Sequence, residues 1–405
     1  MRVLQINSVC GYGSTGRIAT DLYKMLEKNG HECLIAYGRG NAPKAINSYR
    51  IGTNFDNYVH AVKTRLFDLH GFGSKKATKE FIIKAKEYNP DVIHLHNIHG
   101  YFINMDLLFN YLKEVNKPVV WTLHDCWAFT GHCAYFDFEQ CNKWKTCCQE
   151  CTKHMSYPKS LIIDNSKYNY NKKKELFTGI AKMTIVTPSN WLANLVNLSF
   201  LKEYDVKVIN NGIDLEVFNP KYKNIFRKKY DIEDKFLILG VANMWEDRKG
   251  FNYFLELSKV IDDESLIVLV GVDSDQLKLL PKNIIGIKRT NNTEELAEIY
   301  STVDVFVNPT LEDNFPTTNL EALACGTPVI TFNTGGSIES IDEKSGIIVE
   351  KGDFGELCKA ISNSENLRLL KEGALSRAIL YDKNERYKEY MRIYIEKGDN
   401  CEKKN

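Results

Sequence analysis

At 405 residues the chain is too long for one ordinary hydrophobic core, so two domains are expected. Its 43% hydrophobic and 26% charged content excludes a disordered or fibrous chain and describes a soluble globular one. Net charge is only +1, but residues 1–200 carry 25 Lys and Arg against 16 Asp and Glu, and the remainder is net negative. That asymmetry points one half toward an anionic surface or acceptor.

The chain opens with "MRVLQINSVCGYG", a short apolar run leading straight into a glycine loop, without the long apolar core of a signal peptide. No run of about 18 uncharged apolar residues follows, so a cytoplasmic location is expected, with reduced cysteines. The first half then alternates short β-rich runs ("RVLQINS", "ECLIAYG", "VIHLH", "PVVWTLH", "TIVTPS") with helix-length segments. The second half repeats this with "VKVIN", "FLILGVAN", "SLIVLVG", "NIIGIKR", "VDVFVNP", "TPVITF" and "GIIVE". Apolar strands of this length between helices predict βαβ units with parallel sheets buried on both faces. The fold class is therefore α/β, with two Rossmann-like domains at 1–199 and 200–380. Residues 381–405 are expected to form a helix returning to the first domain, followed by a polar tail.

In such sheets ligands bind beyond the carboxyl ends of the strands, so the residues after each run matter most. After the first comes "NSVCGYGSTGRIATDLYKML", where Gly13 and Gly16 belong to a loop feeding a helix near Thr15 or Gly16. A helix start aims unpaired N–H groups and a positive dipole end at an anion; a tight capped turn is the alternative. After "DVIHLH", His94 follows the apolar alternation as a buried histidine, while His96, Asn97, His99 and Tyr101 lie past the strand as acceptor-side candidates. The run "PVVWTL" ends at His124-Asp125.

In the second half, Arg248 and Lys249 follow a strand and precede a helix carrying Phe251, Phe254 and Leu257. Arg as a fork and Lys as a point charge suit a diphosphate. Later, "NPTLEDNFPTTNLEALACGTPVITFNTGGSIES" sets Glu312 and Asp313 in a loop, a helix start near Pro316, Thr317, Thr318 and Asn319 in its first turn, and Glu321 one turn in. Two carboxylates eight residues apart across a loop-to-helix junction can bracket a sugar nucleotide, with its phosphates on the helix start. "DSD" at Asp273–Asp275 reads as a surface turn.

Residues 124–151 hold six of the eleven cysteines. Cys133, Cys141, Cys148 and Cys151 end in C-x-x-C and suit a structural zinc cage, with partly buried thiols as the alternative. In either case the segment is expected to rim the acceptor side, with His124 and Asp125 as its functional residues.

These motifs together resemble a family 4 retaining glycosyltransferase of cell-envelope polysaccharide biosynthesis. The resemblance rests on "NGIDLEVF", "RKG", the acid-x7-acid segment ending "LEALACGTPVI", and "NTGGSIE". It implies the GT-B arrangement, two Rossmann-like domains facing across a cleft, and a nucleotide-diphosphate sugar donor. No cofactor is implied for catalysis, and no nucleic-acid partner. Lys249 matches the family's pyrophosphate lysine, Glu321 its ribose-binding acid, Gly16 (or Gly13) its phosphate-side glycine, and His124 its histidine near the transferred sugar. Two departures stand out: Asp313, with Glu312 beside it, replaces the usual first Glu, and Met244 stands where an arginine is usual. The acceptor is a saccharide or a lipid-linked sugar, and the cationic first half, through Lys172, Lys173 and Lys174, is expected to meet anionic membrane. A nucleotide-sugar epimerase and a non-catalytic nucleotide-sugar sensor are the alternatives.

Overall fold

The computed structural model describes residues 1–221 and 225–402, with side chains to residue 397. The polar tail expected at the end lies largely outside them. The chain divides into two compact units, residues 1–210 with 387–405, and residues 211–386.

The first unit holds a seven-stranded sheet: β1 (Arg2–Val9), β2 (Glu32–Arg39), β3 (Ser48–Arg50), β4 (Val92–Leu95), β5 (Val119–Thr122), β6 (Met183–Thr187) and β7 (Asp205–Val208). Its order is β3-β2-β1-β4-β5-β6-β7, all parallel. Leu4 and Ile6 of β1 enter one core while Val3 enters another on the opposite face. Burial on both faces is why these strands read as unbroken apolar runs. The helix Lys383–Glu402 supplies Tyr387, Tyr390, Ile393 and Tyr394 to the core that holds Val3, Val92, Val120 and Val186. The strand at 205–208, assigned to the second half from its sequence, pairs with β6 instead, so the units part at 210/211 rather than 199/200.

The second unit holds six parallel strands: β8 (Phe236–Val241), β9 (Ser265–Val270), β10 (Ile284–Ile287), β11 (Val305–Asn308), β12 (Val329–Phe332) and β13 (Gly346–Val349), in the order β10-β9-β8-β11-β12-β13. Leu237 and Leu239 face one core and Ile238 the other. In both sheets the strand order reverses at one point, between β1 and β4 and between β8 and β11. A doubly wound sheet opens a crevice at such a point. Asp273 of "DSD" caps the helix Ser274–Leu279, accepting the Asp275 and Gln276 amides.

Residues 123–165, which contain the cysteine cluster, carry no regular element beyond two single 3₁₀ turns. They are ordered by packing: Trp127, Phe129, Phe136 and Trp144 are buried in the main core of the first unit. His132 and Asp68 pair at 2.6 Å, both side chains fully buried. Lys173 donates to the Trp127 and Thr130 carbonyls at 2.8 and 3.1 Å, its ammonium 3.6 Å from the centre of the Trp127 ring.

Lys173 therefore cannot meet a membrane, contrary to the expectation from sequence. It is 1% exposed, and burial pushes its pKa down to about 7. Lys172 pairs with Asp106 and Glu175, and Lys174 alone of the three is exposed. Replacing Lys173 with Met deprives two carbonyls of a donor at about 1–3 kcal/mol each, partly offset because an apolar chain no longer buries a charge. A melting temperature about 4–8 °C lower is expected for a net loss near 2 kcal/mol. An unchanged melting temperature would show that this lysine does not staple the loop.

Candidate active site

In the first unit the loops after β1, β4 and β5 converge on the reversal point. The helix after β1 spans Gly13–Lys28, so it begins two residues before the expected start and Gly16 lies in its first turn. A Cβ on Gly16 would come within 3.1 Å of Val9 and 3.2 Å of the Gly11 nitrogen, so this helix start packs closely on the strand end and a side chain there would have to push its neighbours by a few tenths of an ångström. Gly13, at φ 64°, faces open space.

His94 is a structural histidine, as expected. Its Nε2 meets Thr122 Oγ1 at 2.8 Å, its Nδ1 receives Tyr394 Oη at 2.6 Å, and burial pushes its pKa down to about 3. His96 donates from Nε2 to Gln5 Oε1 at 2.9 Å, which leaves its Nδ1 to accept from His124 Nε2 at 3.4 Å. Burial pushes His124 down to about 4, against the pull of neighbouring Asp125, so its ring is neutral at physiological pH.

Asp125 receives the Trp127 amide at 2.9 Å and His99 Nε2 at 2.9 Å. Burial works against its charge, but His99, the Trp127 amide and His124 outweigh it and hold the carboxyl below its ordinary value. Tyr157 Oη donates to His99 Nδ1 at 3.0 Å, forming the chain Tyr157–His99–Asp125. His96, Asn97, His99, His124 and Asp125 line one small pocket. Tyr101 lies apart from it, its ring on His70 and its carbonyl held by Asn57 at 3.0 Å.

The second unit builds its cluster from the loops after β8 and β11. Gly250, at φ 79°, ends the turn carrying Arg248 and Lys249; any side chain there would strike the Pro309 carbonyl. This close approach lets the Arg248 carbonyl accept the Leu311 amide at 2.7 Å, fixing one loop on the other. Lys249 Nζ then meets Asp313 Oδ2 at 2.5 Å. Burial opposes the Asp313 charge, but Lys249, then Arg248, overcomes it and lowers its pKa. The Arg248 guanidinium bonds Glu246 at 2.9 Å and the Glu312 carbonyl at 3.3 Å. Met244, at the departure from the family pattern, is 64% exposed.

The helix after β11 spans Thr317–Ala324. Its Thr317 and Thr318 amides have no carbonyl partner within the helix. Asn319 differs: its amide bonds the Pro316 carbonyl, and its side chain bonds Asn308, Ser337 and Ser340 in the interior. It positions the loop rather than presenting its own side chain. Glu321 is buried and accepts Tyr300 Oη at 3.1 Å.

Four partners escaped sequence reasoning: Gln5, Tyr157, Tyr300 and the Asp68–His132 pair. Gln5 had a visible signal, a polar residue between Leu4 and Ile6 inside a buried strand.

The four cysteines do line one cavity. Among the described residues, however, no group of three or more His, Cys, Asp or Glu side chains is placed to hold a metal ion, so the zinc cage is not supported. The Cys133–Cys151 hydrogen bond and burial hold the Cys133 thiol well above its ordinary pKa, burial takes Cys148 up to about 12, and the same hydrogen bond brings Cys151 down to about 6.

Two family models match the chain: Glycosyltransferase Family 4 over residues 15–217, and Glycosyl transferases group 1 over residues 235–364. The first covers half of the chain. The chain belongs to glycosyltransferase family 4. It is a retaining, nucleotide-sugar-dependent transferase with two Rossmann-like domains of the GT-B fold. A putative colanic acid biosynthesis glycosyl transferase of Escherichia coli K12, WcaC, is 26% identical over 380 residues, 88% of this chain and 89% of the relative. In fold, the sucrose-phosphate synthase of Thermosynechococcus elongatus is similar with a TM-score of 0.74 at 16% identity, covering 98% of both chains. Anabaena Alr3699/HepE, solved with UDP-glucose, gives 0.66 at 14% identity, covering 97% of this chain and 98% of its own. Family 4 glycosyltransferases need no cofactor, and no helix among the described residues is long and apolar enough to cross a membrane.

Proposed function

We propose that this glycosyltransferase moves a sugar from a UDP-sugar to a saccharide or lipid-linked acceptor in surface polysaccharide assembly. The observation that carries the donor half is the cation pair at the reversal point of the second sheet, with Lys249 held against buried Asp313. A departing nucleoside diphosphate gains charge on its oxygens, and fixed cations stabilise that charge most where water is excluded. Lys249 and Arg248 supply it, with the Thr317 and Thr318 amides beside them. Glu321 takes the ribose, and Asp313, flanked by Glu312, faces the sugar once the diphosphate claims Lys249.

On the acceptor side, His96, Asn97 and His99 orient the incoming saccharide. Neutral His124, its one N–H given to His96, accepts from a sugar hydroxyl, and Asp125 holds the loop that carries it. The bond from the anomeric carbon to the diphosphate breaks, the acceptor oxygen bonds on the same face, and a phosphate oxygen takes the acceptor's proton. The name of the E. coli relative supports the polysaccharide context, and the HepE complex supports UDP.

A thermal-shift panel of UDP-, GDP- and ADP-sugars tests this. Saturation at about 100 times the dissociation constant adds about 2.7 kcal/mol, so the matching donor should raise the melting temperature by about 5 °C or more. A response to GDP- or ADP-sugars alone overturns the UDP assignment. An epimerised donor formed without acceptor would replace transfer with isomerisation.

A further inference from the structure

The helix Asn54–Phe67 in the first unit is turned inside out. Its inward residues are polar: Asn57, His60 and Thr64 are buried. His60 Nε2 accepts the Gly71 and Gly73 amides at 3.1 and 3.2 Å, and Asn57 holds the Tyr101 carbonyl. Its outward stripe is apolar, with Phe55 72% and Tyr58 67% exposed, Val59 exposed, and Val62 and Leu66 half-buried between them. These five fall on one side at helical spacing, and exposed Lys63 and Arg65 flank them on either edge.

A second segment extends the patch. The Leu161 amide donates to the Arg65 carbonyl at 2.7 Å and Asn165 Nδ2 to the Phe67 carbonyl at 2.8 Å, so residues 161–165 run along the last turn of the helix. Leu161 and Ile162 are exposed there, Ile162 at 71%. Water-facing helices of globular proteins carry the opposite pattern, and contiguous exposed apolar surface marks a docking site.

We infer that the outer face of helix 54–67, with Leu161 and Ile162, docks on a membrane surface rich in anionic lipid. The charge pattern chooses this occupant. A helix lying in the headgroup region presents an apolar face with cations along its borders, as Lys63 and Arg65 do. A second copy meeting this face about a two-fold axis would instead bring each cationic border against the same patch. The inner side of the same helix fixes Tyr101, so docking would hold the β4 loop near the lipid surface. The inference extends the lipid-linked acceptor reading, but vesicle binding is measured without donor or acceptor, so either can fail alone.

The test is co-sedimentation of the full chain with phosphatidylethanolamine vesicles containing or lacking phosphatidylglycerol. Binding should require phosphatidylglycerol and weaken as salt rises. Val59→Glu with Ile162→Glu should weaken it at least about tenfold, and Lys63→Ala or Arg65→Ala about fivefold each. All four positions are exposed, so the melting temperature should stay at the wild-type value and separate lost docking from lost fold. Binding indifferent to phosphatidylglycerol, or a Val59→Glu/Ile162→Glu protein that binds as wild type, overturns the inference. So does sedimentation equilibrium showing a dimer that the same pair of substitutions dissolves.

Discussion

Replacing Lys249 with Ala should lower kcat/KM at least about 100-fold, the cost of removing one fixed group from a developing charge. Without donor, its ammonium is held by Asp313, and Asp313 keeps its proton off chiefly because Lys249 is there. Lys249→Ala thus has a second consequence. It leaves a buried carboxylate without its cation, so the Asp313 pKa rises and the fold loses stability. The double variant Lys249→Ala/Asp313→Ala separates the two effects: it should recover most of the melting temperature and none of the activity. Arg248→Ala should cost less, because its guanidinium is about one third exposed and already bonds Glu246 and the Glu312 carbonyl. Wild-type turnover in Lys249→Ala, with the fold intact, would remove the phosphate role from this lysine.

The fold was legible because its strands are buried on both faces and therefore apolar throughout, and because the glycines and charges cluster at their carboxyl ends. What stayed hidden has physical causes. Lys173 sits in a run of three lysines, which reads as solvated surface. Yet Tyr170 precedes it by three residues and Phe177 follows by four, both buried, so helical spacing puts Lys173 on the inward face. Asn319 looked like a ligand-facing residue at a helix start, but its side chain is used to tie the helix to Asn308 and Ser337. Four cysteines in a loop show their spacing in sequence but not which of them the fold buries or pairs. The Tyr157–His99–Asp125 chain spans 58 residues between Tyr157 and His99, beyond the reach of any local motif.

Mild acid should unfold the first unit before the second. All nine histidines lie in residues 1–210, and the second unit has none. Burial pushes His60 and His94 down to about 3 and His124 to about 4, and moves His70 and His96 well below their ordinary value of 6.5. A histidine depressed in the folded state contributes its full stability above its unfolded value near 6.5, and loses it as pH falls toward the folded value. Five such groups lose up to about 7 kcal/mol per pH unit together, against a total stability of about 5–15 kcal/mol for a domain. His132 runs the other way: burial lowers its pKa, but Asp68 outweighs that and raises it. Its contribution is complete below 6.5 and is lost as pH rises through the raised value, so this one group opposes the rest. The first unit should therefore lose its hydrogen-exchange protection between about pH 6 and pH 4.5, taking up three or more protons, while residues 211–386 remain protected. Simultaneous loss of protection in both units, or unfolding without proton uptake, would show that these rings are not held neutral in the interior.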